Sequence, residues 1–325
     1  MVTLFRNTSF SSVFILIVLA LLVHTHFFIA PAIVVTGEDG LISFLLKQYI
    51  QPLPSVFLWL VYMGILLLQA IRLNMVLNEN KMFHNGNFTT AMAYVVVSGL
   101  FPEWCSITPA FIANTFLIWI LIQLFKLYNS PAPKVLLFNT GLIAGFSVIC
   151  YHPTAILIVV ILFALIIVRP FRIAEWIVLL MGVITPLYIL FSILFLTDKW
   201  NLVTQFLPKL HLGLPKFQYK DFWVVFTIST IFISLLAGLV YYSNASNRVI
   251  IQIRKNWSVL VVMLLLMLPI PFIFTNTAMY AVEMLIIPLS AFIANAYLYP
   301  KKLLFPNLLF FLAVAAIIHN NWSMS

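Results

Sequence analysis

Long apolar runs separated by short polar breaks fill this chain from end to end. The first run covers residues 14–30. Ten more cover 56–73, 89–101, 107–125, 135–150, 154–168, 173–196, 222–243, 257–274, 279–299 and 303–319. Several of them reach the ~20 residues that an α-helix needs to cross the hydrocarbon of a bilayer. The pattern predicts an all-α fold: a polytopic transmembrane helical bundle of about eleven spans, forming one integral membrane domain over 1–325. Runs 89–101 and 154–168 are short. They predict spans lengthened by interfacial residues, or half-spans lining a cavity. Run 14–30 follows a single basic residue, Arg6, and ends at Ala30-Pro31-Ala32. It is longer than the apolar core of a signal peptide and further spans follow it, so it predicts an uncleaved first helix.

Composition removes the other classes. Of 325 residues, 64% are hydrophobic and 8% are charged, against roughly a quarter charged in an ordinary soluble domain. Mean hydropathy is +1.12. A water-soluble globule of this size has no way to hide so much apolar surface, and a disordered chain is polar and charged. With 10 Gly and 2 Cys, collagen-like and disulfide-scaffold chains are excluded as well.

Basic residues set the orientation, because cytoplasmic loops are enriched in Lys and Arg. With the N-terminus inside and eleven alternating helices, the cytoplasmic segments hold Arg6, Arg72, Lys81, Lys126, Lys134, Arg169, Arg172, Arg248, Arg254, Lys255, Lys301 and Lys302. That is twelve of the 17 basic residues. Lys47, Lys199, Lys209, Lys216 and Lys220 fall outside, and four of these share the loop 197–221. The expected topology is therefore N-terminus cytoplasmic and C-terminus external. The net charge of +9 sits mainly in short cytoplasmic loops, where anionic headgroups balance it. It points to membrane lipids as partners and not to nucleic acid.

The acids divide the other way. Glu38, Asp39, Glu103, Asp198 and Asp221 fall outside, Glu79 and Glu175 inside, and Glu283 in the outer part of the tenth run. Asp and Glu contribute little to topology, so an external acidic group points to a polar site. Glu38 and Asp39 lie between Gly37 and Gly40. The next segment, 41–50, is apolar with one Lys, and Gln51-Pro52-Leu53-Pro54 stops it. It predicts a short helix lying in the external interface. The paired carboxylates at its start read either as surface acids of a solvated turn, or as a general base or metal ligand held at the water–lipid boundary.

Two more external turns are expected on the same side: Phe101-Pro102-Glu103-Trp104-Cys105 and Cys150-Tyr151-His152-Pro153-Thr154. Together with the first they are placed to converge on one cavity. In loop 197–221, Lys209, His211, Lys216 and Lys220 recur among apolar and aromatic residues. Lys heads spaced this way anchor to headgroups or bind a lipid phosphate. Inside the runs, polar groups are few: His24, His26, Asn114, Asn139, Glu283 and Asn295. Glu283 is a functional candidate by its class, or an acid near enough to the external end to reach water. His24 and His26 are two residues apart and, on a helix, face different sides. The sequence has no Gly-rich phosphate loop followed by Lys-Ser or Lys-Thr, no HExxH and no CxxC, which argues against an ATPase, a zinc protease and a redox relay of the usual types.

An inside N-terminus, one span, then an external loop with an acidic pair leading into an interfacial helix resembles the membrane-embedded GT-C glycosyltransferases. The resemblance implies that Glu38 or Asp39 is the catalytic carboxylate and that Glu103 is a second acid in the next external loop. It also implies that Lys209, His211, Lys216 and Lys220, with His152, serve a polyprenyl-phosphate-linked sugar donor. The acidic motif departs from the usual Asp-centred one, reading Gly37-Glu38-Asp39-Gly40. No cofactor is implied beyond a divalent metal in some arrangements. The whole chain is also similar to a family of Phe- and Ile-rich inner-membrane proteins from Bacteroidota that open with a similar Phe-Arg stretch. That likeness implies a bacterial inner membrane but no activity. Two other functions fit the same residues: a non-catalytic membrane subunit or scaffold with a membrane-protein partner, and a transporter or lipid-handling protein that depends on Glu283 and the span histidines.

Overall fold

A computed structural model describes residues 1–8, 10–37, 40–128, 130–207, 212–213, 222–246, 249–274 and 278–322. Among these the chain is helical, with no strand, and Val34 forms an isolated bridge with Ile107. The elements, in order, are α1 (Phe10–Val23), α2 (Leu41–Leu45), α3 (Ser55–Glu79), α4 (Thr89–Ser98), α5 (Pro109–Lys126), α6 (Pro133–Cys150), α7 (Ile156–Val168), α8 (Ile173–Leu196), α9 (Phe222–Ser246) and α10 (Ile251–Met267). Two short turns, α11 (Ile270–Ile273) and α12 (Ala278–Ala281), precede α13 (Ile286–Leu298) and α14 (Leu304–Trp322).

Among the described residues, eight helical stretches are long and apolar enough to cross a membrane. They correspond to α3, α5, α6, α8, α9, the α10–α11 stretch, 279–298 and α14. Three shorter apolar helices, 11–23, 89–98 and 152–168, occupy the places of the first, third and sixth expected spans. The all-α membrane bundle is as the apolar runs predict. The expectation of eleven passes needs these three short helices in addition to the eight.

Segments expected to share a side of the membrane meet at the same end of the bundle. At one end the Arg6 guanidinium donates to the carbonyls of Tyr297 (2.7 Å) and Pro300 (2.9 Å). Close by in topology, Lys255 Nζ donates to Val168 O, Arg169 to Leu127 O and Trp257 Nε1 to Met82 O. A cation that caps the last carbonyls of a helix complements its negative end, so these basic residues close helix ends as well as mark topology. Arg169 also lies 3.3 Å from Glu175, with both groups largely buried. The acid-bearing turns gather at the opposite end.

Small residues decide how tightly the helices approach. A Cβ added at Gly141 or Gly145 of α6 would lie 2.4 and 2.2 Å from backbone oxygens of Leu179 and Val183 on α8. Gly182 of α8 faces Phe138 O of α6 at 2.4 Å in the same sense. This is the small-xxx-small geometry by which helices in lipid pack backbone to backbone. Gly145→Leu is therefore expected to separate α6 from α8 and to abolish a monodisperse peak in detergent size-exclusion chromatography. Gly64→Leu on α3, where an added Cβ meets nothing within 4 Å, should leave that peak unchanged.

Candidate functional site

The backbone flanking the three acid- or histidine-bearing turns comes together. Residues 33–35 run alongside the second turn: Val34 forms a parallel bridge with Ile107, Ile107 N donates to Ile33 O (2.9 Å) and Val35 N to Ile107 O (3.1 Å). Gly40, at φ 125°, then sits on the end of α6, where an added Cβ would lie 2.7 Å from Cys150 O and 2.8 Å from Ile149 O. Only glycine adopts that backbone without strain and allows that approach. The segment 41–50 follows as α2 and a π-turn, the short helix expected before the second long span. Glu38 and Asp39 lie outside the described residues, between anchored neighbours on both sides.

The second turn is the most firmly held. Pro102 opens a 3-10 turn over Pro102–Cys105, and Thr108 caps α5, its Oγ1 accepting from Phe111 N (2.9 Å) with Pro109 at the first helical position. A Thr-Pro pair at this place is a local signal for a helix start. Tertiary contacts then lock the turn. Trp104 Nε1 donates to Met279 O (3.0 Å) and Tyr62 Oη donates to Trp104 O (3.1 Å). From α14, Asn320 and Asn321 donate to the carbonyls of Leu100 and Gly99, both at 2.8 Å.

Glu103 rides on this turn. It is half-buried, and its Oε2 is shielded from solvent with no hydrogen-bond partner among the described residues. A buried, unserved carboxylate oxygen is an acceptor waiting for a donor. Cys105 is buried beneath it, and burial first, then the Glu283 and Glu103 carboxylates, push its thiol well above the ordinary range. Cys105 and Cys150 are both free, so no disulfide ties the turns. His152 lies in the third turn at the same end but is only 2% exposed, inside the wall and not on an open surface. Lys209, His211, Lys216 and Lys220 lie outside the described residues.

Of the polar groups singled out inside the spans, Glu283, Asn114, His24 and His26 are buried in the wall. Glu283 does not reach water: it is fully buried. Its Oε2 accepts from Thr108 Oγ1 (2.7 Å), while Oε1 has no partner among the described residues. Asn114 Nδ2 lies 3.4 Å from the Glu283 carbonyl. His24 Nε2 is 3.0 Å from the Tyr62 hydroxyl, and His24 Nδ1 is 3.0 Å from Ala20 O. The expectation that His24 and His26 face different sides of a helix is corrected, because α1 ends at Val23 and both lie at a 3-10 turn, buried, with rings 6.0 Å apart. Among the described residues, no group of three His, Cys, Asp or Glu side chains is placed to hold a metal ion.

These features define a class: an all-helical membrane protein with the Glu103 and Glu283 carboxylates held in a hydrogen-bonded layer at one end of its bundle. Residues 4–323 match the model of DUF6427, a family of unknown function, and the chain belongs to that family. No curated protein and no solved structure matches it.

Proposed function

We propose that this protein is a GT-C-like glycosyltransferase that uses a polyprenyl-phosphate-linked sugar at the external face of a bacterial inner membrane. The observation that carries the reading is the clamped second turn. It holds Glu103 in place and, through the Val34–Ile107 bridge, anchors residues 33–35, the segment that leads to Glu38 and Asp39. A carboxylate on a pre-set backbone needs little reorganisation to act on a substrate.

In this reading Glu38 or Asp39 takes the proton from an acceptor hydroxyl. The acceptor oxygen bonds to the anomeric carbon of the sugar as the bond from that carbon to the phosphate oxygen breaks. Polyprenyl phosphate leaves with the electron pair, and Lys209, His211, Lys216 and Lys220 stabilise its charge. Glu103 aligns the acceptor. The test is complementation of a deletion strain, with membrane levels checked by blot. Glu103→Gln and the Glu38→Gln/Asp39→Asn pair should fail to complement at normal protein levels. Full complementation by the pair overturns the reading.

A second reading, a non-catalytic subunit, draws on α8 and α9. Only 28% and 22% of their apolar windows are buried in the chain, which leaves an apolar face on each for a membrane partner. It requires the acids to be dispensable.

A further inference from the structure

The lipid-facing wall between α3 and α5 carries a charge, Arg72, short of the end of α3. A groove of about 530 Å³ runs along it, lined by Ile65, Leu68, Gln69, Ile118, Trp119 and Ile122, with Arg72 at its side. Arg72 is seven residues before the end of α3, about 10 Å inside that end at 1.5 Å per residue. A charged side chain within an apolar span is costly and marks a functional position by default. Its side chain reaches toward the helix end, where NH1 is 3.7 Å from Glu79 Oε1, and both groups are about half exposed. So weak and open a pair leaves most of the guanidinium's donors unserved.

The groove has a neighbour. Across Trp119, which is half exposed, a second groove of about 450 Å³ lies between α5 and α6, lined by Phe116, Asn139, Leu142 and Phe146. Trp119 thus stands between two apolar grooves and lines both. Lys126, exposed in the last turn of α5, adds a second cation at the same end as Arg72. Each channel covers about seven residues of helix, roughly 10 Å of depth, which fits inside one leaflet's half of a ~30 Å hydrocarbon core.

We propose that this is a binding site for one anionic phospholipid of the leaflet at the Arg72 end. Its two acyl chains straddle Trp119, and its phosphate displaces Glu79 from Arg72. The planar guanidinium suits a phosphate better than a single carboxylate at 3.7 Å. The site lies on the opposite end of the bundle from the carboxylate layer, so it is independent of the proposed transferase chemistry.

Brominated lipids test it, because bromine on an acyl chain quenches a tryptophan it touches. The chain has 8 Trp, so the quenching lost in Trp119→Phe isolates the signal of Trp119. The protein is reconstituted with chain-brominated phosphatidylglycerol or chain-brominated phosphatidylcholine. One basic residue near the membrane surface is worth about 1 kcal/mol toward an anionic lipid, so Trp119 should prefer phosphatidylglycerol about fivefold. Arg72→Gln should reduce the preference to near unity, and Arg72→Lys should retain most of it. Equal quenching by both lipids in the wild type, or an unchanged preference in Arg72→Gln, overturns the proposal.

Discussion

The Glu38→Gln/Asp39→Asn variant should lose function while reaching the membrane at wild-type levels. Both substitutions keep the shape of the side chain and remove its charge. A positioned general base typically contributes ~10²–10⁴-fold in rate. Glu103→Gln should produce a loss of the same kind. Its turn is held through backbone groups and through Trp104, Thr108 and Ser106, whose Oγ donates to Glu103 O at 2.7 Å. None of these contacts uses the Glu103 carboxylate, so the variant protein should unfold at an unchanged temperature. An equal fall in activity and in unfolding temperature would assign Glu103 a structural role instead.

Glu283 should behave in the opposite way, governing the stability of the turn through its acceptor oxygen. Glu283→Gln keeps an oxygen for the Thr108 hydroxyl. Glu283→Leu removes it and leaves that hydroxyl unserved in a dry interior, at a cost of about 1–3 kcal/mol. The native reporter is Cys105, which is 4% exposed, free, and held as a thiol by burial and the two nearby carboxylates. Only the thiolate reacts readily, so wild-type Cys105 should label very slowly with a maleimide. In a Cys150→Ser background, Glu283→Leu should speed that labelling about tenfold or more by local opening of the turn. Glu283→Gln should stay close to wild type. Equal labelling of Leu and Gln variants would show that the Thr108 contact does not hold the turn.

The parts legible in the sequence are those set by local patterns. Apolar run length locates the helices, and Pro52 and Pro54 mark where the interfacial segment stops before α3. The Lys and Arg bias sorts the connections so well that segments given to one side, such as Arg6 and 297–300, touch in the folded chain. Helix ends inside apolar stretches are a different matter. Three polar residues, His24-Thr25-His26, interrupt the first run without a Gly or Pro to mark a stop, yet α1 ends at Val23, where His24 packs against Tyr62. The Val34–Ile107 bridge involves too few residues to leave any periodicity. Glu283 carried its own signal as an intramembrane acid. Its distance of 175 positions from Thr108 hid the partner, although the Thr108-Pro109 cap was readable on its own. Gly40 was readable as a helix interrupter. That it also rests on the carbonyls of Ile149 and Cys150 belongs to the fold alone.

The most direct measurement is donor turnover by the purified protein in lipid nanodiscs. A panel of polyprenyl-phosphate pentoses and hexoses, each with the sugar radiolabelled, is offered with a membrane extract as the acceptor source. Release of polyprenyl phosphate is followed together with transfer of label. The account predicts turnover of at least one donor by the wild type, lowered ~10²–10⁴-fold in Glu38→Gln/Asp39→Asn and strongly in Glu103→Gln. Turnover equal in the wild type and the carboxylate variants, or no donor consumed above empty nanodiscs while the acids prove dispensable for complementation, would contradict it.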